Sequence, residues 1–335
     1  MKSFYYLVSL LLLICCNTKL DQDKFINPAP VSNLDSTDIV QKINFNSSNP
    51  FSFKDIITDL DNQKEQEVFG ILRMPDTFNK TQEYPLIIAV AGSNGWSDHH
   101  HEYLQMYRDN GIATFELCSF QSRGVSSTVG TQVEVTTAMM ILDSYRAYEL
   151  LERHPNINAN HIGITGWSLG GGVALFSAWK PIHHAINKDI IFAAHLPIYP
   201  PCIVTPKLLD FGDSPIHILI GELDNWTPAE ACLDLVDQVD DNIQLTIYAG
   251  AHHSFDGDSP VSVKENGYIL EDCRFIMEED GTILMNFLNI PMRTPLLQKI
   301  GLSMCARRGP TYGSNQSAKI KSFDFAKSFM NTHLH

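Results

Sequence analysis

The chain is poor in positive charge: 24 Lys and Arg stand against 38 Asp and Glu, a formal net charge of -14 over 335 residues. A surface of that sign repels phosphates at long range, which argues against nucleic acid as a partner. Long apolar runs are also missing. The longest, Phe4 to Ile14, is too short to span a bilayer. No two cysteines stand at CxxC spacing, so a structural zinc site has no ligand pair to build on. Internal repeats are absent, which excludes solenoids and propellers. With 44% hydrophobic and 19% charged residues, the composition excludes a mainly disordered chain. The length suits a single large α/β core.

What the amino terminus does hold is a leader pattern. Lys2 precedes the apolar run, Cys15 and Cys16 follow it, and a polar stretch continues to about residue 50. This fits an export signal over residues 1–16, with a tether over 17–50 and a catalytic domain over 51–335. The cysteines after the run resemble a bacterial lipoprotein signal, with Cys16 as the lipid acceptor; a plain cleaved signal is the alternative. The expected location is therefore outside the cytoplasm, either periplasmic, lipid-anchored at an outer membrane or cell surface, or secreted. In an oxidising compartment Cys273 and Cys305 could close the segment between them as a loop, the alternative being two free thiols.

Further along, strands and helices alternate. "EQEVFGILRMPD" alternates as a strand should, and "YPLIIAVAG" is apolar without alternation, as in a parallel strand buried on both faces. A helix is expected over Glu102 to Asn110, then the strand "GIATFEL". From Gln132 to His154 the apolar positions Ala138, Leu142, Tyr145, Tyr148 and Leu151 recur at helical spacing, and Pro155 closes the helix. The rhythm continues with strand "HIGITGW", a helix from Leu169 to about Trp179, strands "DIIFAAHLPIY" and "PIHILIGELD", helix "PAEACLDLVDQV" and strand "IQLTIYAG". A last helix runs from about Ser317 to His333. Such alternation predicts a mostly parallel central sheet with helices on both faces. Residues from about Asp256 to Gly313 break the rhythm and read as an insertion before the C-terminal helix.

Ser168 lies in Gly166-Trp167-Ser168-Leu169-Gly170, at the junction of a strand and a helix. Glycines on either side of a serine there permit the sharp turn of a nucleophile elbow, and the backbone N–H of Leu169 would stand ready to hold an oxyanion. A serine nucleophile needs a base, and the base an orienting carboxylate, in the chain order serine, acid, histidine. Glu222 and Asp224 end the strand "PIHILIGELD"; Asp224, further into the loop, is the favoured acid. His252 and His253 follow the next strand. The loop "AGSNGWSDHHH" can supply a second oxyanion donor from Ser93 or Asn94, between which the sequence does not choose. Trp167, beside the serine, is an expected substrate contact. Three consecutive histidines, His99 to His101, cannot converge on one ion from a helix or strand, so no metal is expected.

Taken in order, "GSNGWSDHH", "ELCSFQSRG", "GITGWSLGGGVAL", "GELDNWTPAEAC", "YAGAHHSFD" and "CARRGPTYGSN" resemble the dienelactone hydrolase family of the α/β-hydrolase fold, from about Pro85 to the C-terminus. The resemblance implies hydrolysis of a small-molecule carboxylic ester or lactone through an acyl-enzyme, without a cofactor. It makes Ser168 the nucleophile, Asp224 the acid and His253 the base, and it puts Arg123 near the mouth of the site. Dienelactone hydrolase proper carries a cysteine nucleophile; serine here favours a general carboxylesterase. A serine peptidase of the same fold and a non-catalytic binding protein are the competing readings.

Overall fold

The computed structural model describes residues 39–239 and 242–335. The leader, Cys16 and the first part of the tether lie outside the described residues. In chain order the first nine strands are β1 (Val40–Ser48), β2 (Glu65–Arg73), β3 (Tyr84–Val90), β4 (Ala113–Leu117), β5 (Ile157–Trp167), β6 (His195–Ile198), β7 (Val204–Pro206), β8 (Ile216–Gly221) and β9 (Ile243–Tyr248). All but β7 join one eight-stranded sheet in the order β1-β2-β4-β3-β5-β6-β8-β9. β1 pairs antiparallel with β2, and β2 with β4; every later pairing in that sheet is parallel.

The helices are α1 (Phe53–Asp59), α2 (Asp98–Asp109), α3 (Ser119–Ser122), α4 (Thr137–Leu151), α5 (Leu169–Phe176), α6 (Lys180–Asn187), α7 (Ala229–Val236), α8 (Pro295–Ser303) and α9 (Gln316–Leu334). They cover both faces of the sheet: α2 and α9 pack on each other, and α4 groups with α1, α5 and α6. The face of β5 that carries Gly163 meets Leu334 of α9. β3 and β4 are buried along their whole lengths, as two covered faces require. Ile87 and Ile88 are fully buried in β3, so truncating either to Ala would cost about 2–5 kcal/mol.

Several elements differ from the sequence reading. Residues 40–48, assigned above to the tether, are the edge strand β1, with Gln41, Ile43, Phe45 and Ser47 turned inward. Half of those inward positions are polar, which hides the alternation. The helix expected from Gln132 starts at Thr137, because Thr136 caps it by accepting from the Met139 N–H while Gln132 holds a positive φ of 58°. Of the strand expected in "DIIFAAHLPIY" only His195–Ile198 pairs; Ile190 and Phe192 are buried from a loop. α6 was not expected.

The insertion is ordered by its own small elements. Phe275–Met277 pairs parallel with β7 and antiparallel with Ile283–Leu284. Cys273 and Cys305 form a disulfide, and a second joins Cys202 to Cys232. Cys118 is free and buried, which pushes its thiol up to about 12 and keeps it protonated. Among the described residues no helix is long and apolar enough to cross a membrane.

Candidate active site

Ser168 stands between β5 and α5 with φ 55° and ψ -115°, a conformation that L-residues adopt only under constraint. The constraint is visible in the packing. A Cβ on Gly170 would lie 2.1 Å from the Val90 carbonyl oxygen, so only glycine lets the first turn of α5 approach β3 this closely. The serine N–H is held by the Ile198 carbonyl at 2.9 Å. The turn leaves the Ser168 side chain facing a cavity of about 380 Å³ at the C-terminal end of the sheet, where ligand crevices of open α/β sheets form.

The structure brings Ser168, Asp224 and His253 together. His253 Nε2 lies 3.0 Å from Ser168 Oγ, and its Nδ1 lies 2.7 Å from Asp224 Oδ2. A carboxylate only accepts, so Nδ1 carries the proton and Nε2 is left with a lone pair toward the serine hydroxyl. Asp224 is buried and fully engaged: Oδ1 accepts from the N–H groups of Trp226 and Thr227 at 3.0 and 2.8 Å, and the Thr227 hydroxyl lies 3.0 Å from Oδ2. Glu222 is the exposed carboxylate of the two and accepts from the Gly250 N–H instead.

Adjacent histidines separate cleanly. His252 turns away, its Nδ1 2.9 Å from Thr311 Oγ1. The His253 loop is clamped by the residues that end the insertion: the Gly313 N–H donates to the His253 carbonyl at 2.9 Å and the Asn315 N–H to that of Phe255 at 2.8 Å. Tyr199 and Trp226 flank the imidazole with ring centroids 4.7 and 4.9 Å away. Beneath them Tyr199 donates to the fully buried Asp256 at 2.9 Å. Burial, with Asp256 adding to it, raises the phenol well above its ordinary value, so it stays protonated.

Ser93 and Asn94 both line the cavity, Ser93 buried and Asn94 exposed. Their loop reaches the nucleophile, since a Cβ on Gly92 would lie 3.3 Å from Ser168 Cβ. The Ser93 carbonyl is fixed by the Thr128 N–H and the Ser127 hydroxyl. Leu169 follows the serine as the first residue of α5, where its N–H is one of the unpaired donors of a helix start. Trp167 borders the cavity, but its side chain is fully buried against His100 and Tyr103, so it shapes the wall from behind.

Arg123 is a correction to the sequence reading: it is not at the mouth. Its guanidinium forks onto the buried Asp143 at 2.7 and 3.1 Å and donates to Asn49 Oδ1 and to the carbonyls of Ser48 and Ser119. Every donor direction is committed to tying α3 and α4 to the end of β1. Thr227, which no motif singled out, is the residue the sequence reading missed; its place three residues after the acid was the available signal.

His99, His100 and His101 diverge. His99 Nε2 lies 3.4 Å from the Tyr199 hydroxyl, His100 Nδ1 accepts from the Ser97 N–H, and His101 pairs with Glu116 at 3.4 Å. Burial first, then its two neighbours, holds His100 well below its ordinary pKa and therefore neutral. Among the described residues no group of three or more His, Cys, Asp and Glu is arranged to hold a metal ion.

Comparison with known proteins gives a family match: the dienelactone hydrolase family, over residues 105–271. No curated protein matches the chain. Among solved structures, a dienelactone hydrolase-like promiscuous phosphotriesterase from metagenomic libraries is 13% identical, with 89% of this chain and 100% of that one covered and a TM-score of 0.51. Est1E from Butyrivibrio proteoclasticus is 18% identical over 57% of this chain and 88% of that one, TM-score 0.44. A thermophilic esterase from the Planctomycetes species Thermogutta terrifontis is 15% identical over 62% and 84%, TM-score 0.44.

Proposed function

Through residues 105–271 the chain belongs to the dienelactone hydrolase family, and we propose that it is a serine carboxylic ester hydrolase working through an acyl-enzyme on Ser168. The observation that carries this reading is the chain of contacts from Asp224 through His253 to Ser168, at 2.7 and 3.0 Å. His253 Nε2 takes the hydroxyl proton as Oγ attacks the ester carbonyl carbon. The resulting oxyanion is held by the Leu169 N–H and by an N–H from the Ser93-Asn94 loop. As the tetrahedral intermediate collapses, the bond to the alcohol oxygen breaks and His253 gives its proton to the departing alcohol. Water then repeats the sequence on the acyl-serine. Its proton passes to His253 and on to Ser168, and the carboxylic acid leaves.

Asp224 keeps the imidazole in the tautomer this cycle needs. The reading extends to an exported protein, lipid-anchored through Cys16 or released. The two disulfides support that part, since such bonds persist in oxidising compartments. Kinetics of the purified chain on 4-nitrophenyl esters beside an aminoacyl 4-nitroanilide test the reaction class. Ester turnover with negligible anilide cleavage is expected, and the opposite ranking would favour a peptidase.

A further inference from the structure

The chamber over Ser168 is not the whole of the internal space. A second cavity of about 180 Å³ lies beside it, walled by Phe176, Ile203, Phe275 and Leu302. Two residues join it to the chemistry: Trp226 lines both spaces, and Leu169 borders the second while directly following the serine. The two spaces differ in character. The larger carries Asn94, Asp98, His99, Asp258 and Lys264, whereas the smaller is walled chiefly by apolar and aromatic side chains.

We propose that the smaller cavity receives the acyl part of the substrate, and that the enzyme therefore acts on esters whose acid is compact and apolar, one aromatic ring or a chain of about four to six carbons. This rests on the esterase reading above. The assignment of ends follows from where the protons go. An alcohol leaving group must stay within reach of His253 Nε2, and His253 lines only the larger, polar space. The carbonyl oxygen is held at the Leu169 N–H, so the group on the other side of the carbonyl carbon is the one that passes Leu169 into the apolar space. The size follows from volume: an apolar cavity of about 150 Å³ holds one benzene ring.

Trp226 forms the partition between the spaces. Its backbone N–H donates to Asp224 Oδ1 at 3.0 Å, and its ring packs on Gly267, where a Cβ would come within 3.1 Å of Cζ2. Part of the smaller cavity's wall comes from the insertion, where Leu302 on α8 lies three residues before Cys305 of the Cys273–Cys305 disulfide. Acyl length is thus read by a segment that carries none of the reacting groups.

The test is kcat/KM on 4-nitrophenyl acetate, butyrate, hexanoate, decanoate and phenylacetate, for the native chain and for Leu302→Trp and Leu302→Ala. At about fourfold per buried methylene, hexanoate and phenylacetate should exceed acetate by at least tenfold, with decanoate falling back. Leu302→Trp, which fills the cavity, should cut the hexanoate-to-acetate ratio at least fivefold. Leu302→Ala, which lengthens it, should move the optimum toward decanoate. A native ratio near one, or a length profile that both variants leave unmoved while turnover persists, would overturn the acyl assignment alone. No turnover of any ester by the native chain would overturn the esterase reading and this inference with it.

Discussion

The Thr227 hydroxyl lies 3.0 Å from Asp224 Oδ2, and the N–H of the same residue donates to Oδ1 at 2.8 Å. One threonine thus holds both oxygens of the buried carboxylate that orients His253. Its Oγ1 is also 3.1 Å from His253 Nδ1 and 3.0 Å from the Tyr199 carbonyl oxygen, so its one proton is shared between that carbonyl and Asp224 Oδ2. Removing that hydroxyl leaves the backbone bond in place and frees the carboxylate and imidazole to turn. Thr227→Val should lower kcat/KM on a preferred ester about tenfold, the scale of a hydrogen bond to a charged group. Thr227→Ser should restore most of it. A valine variant as active as the native chain would show that the hydroxyl does no positioning.

The histidine pair makes a ranking. His253 faces Ser168 and Asp224, whereas His252 bonds Thr311 outside the triad contacts. His253→Ala should remove nearly all ester turnover; His252→Ala should cost at most about tenfold, through the loop clamped by residues 313–315. Steady-state kinetics on one ester compare them, and the reverse ranking would contradict the geometry.

Stability should fall in mild acid because of buried neutral histidines. Burial lowers His195 to about 4 from an ordinary 6.5, opposed only in part by its bond to the Ala174 carbonyl at 2.8 Å. Between those values the unfolded chain binds a proton that the folded chain refuses, so stability is full above about pH 6.5 and is lost as the pH falls toward 4. His195 alone accounts for about 3 kcal/mol over that interval. Urea unfolding at pH 7 and pH 4.5 measures the loss. His195→Gln should flatten the dependence; an equal slope in the variant would place the acid sensitivity elsewhere.

The parts of this architecture legible in the sequence are those written in local pattern. An unbroken apolar run announces β3, and glycines around a serine at a strand-to-helix junction announce the elbow at Ser168. Chain order put an acid and a histidine at the ends of β8 and β9. What stayed hidden depends on distant partners. β1 is an edge strand whose inward Gln41 and Ser47 erase the alternation, and it pairs only because β2 offers a register. The Cys202–Cys232 bridge joins the chain beyond β6 to α7, a proximity that spacing cannot reveal. Arg123 sits in a motif shared with a catalytic family, yet its role is fixed by Asp143. The smaller cavity brings Leu169 together with Phe275 and Leu302, which stand more than a hundred residues further along the chain.

The central claim is that Ser168 carries the acyl group. A fluorophosphonate reacts covalently with such an activated serine, so the native chain should acquire one adduct, mapped by peptide mass spectrometry to Ser168, with ester turnover lost in proportion to labelling. Ser168→Ala should take up no label and lose roughly 10⁴ to 10⁶ in kcat while unfolding at a similar urea concentration. An adduct on another residue, or more than a few per cent of native turnover in clean Ser168→Ala protein, would contradict the account.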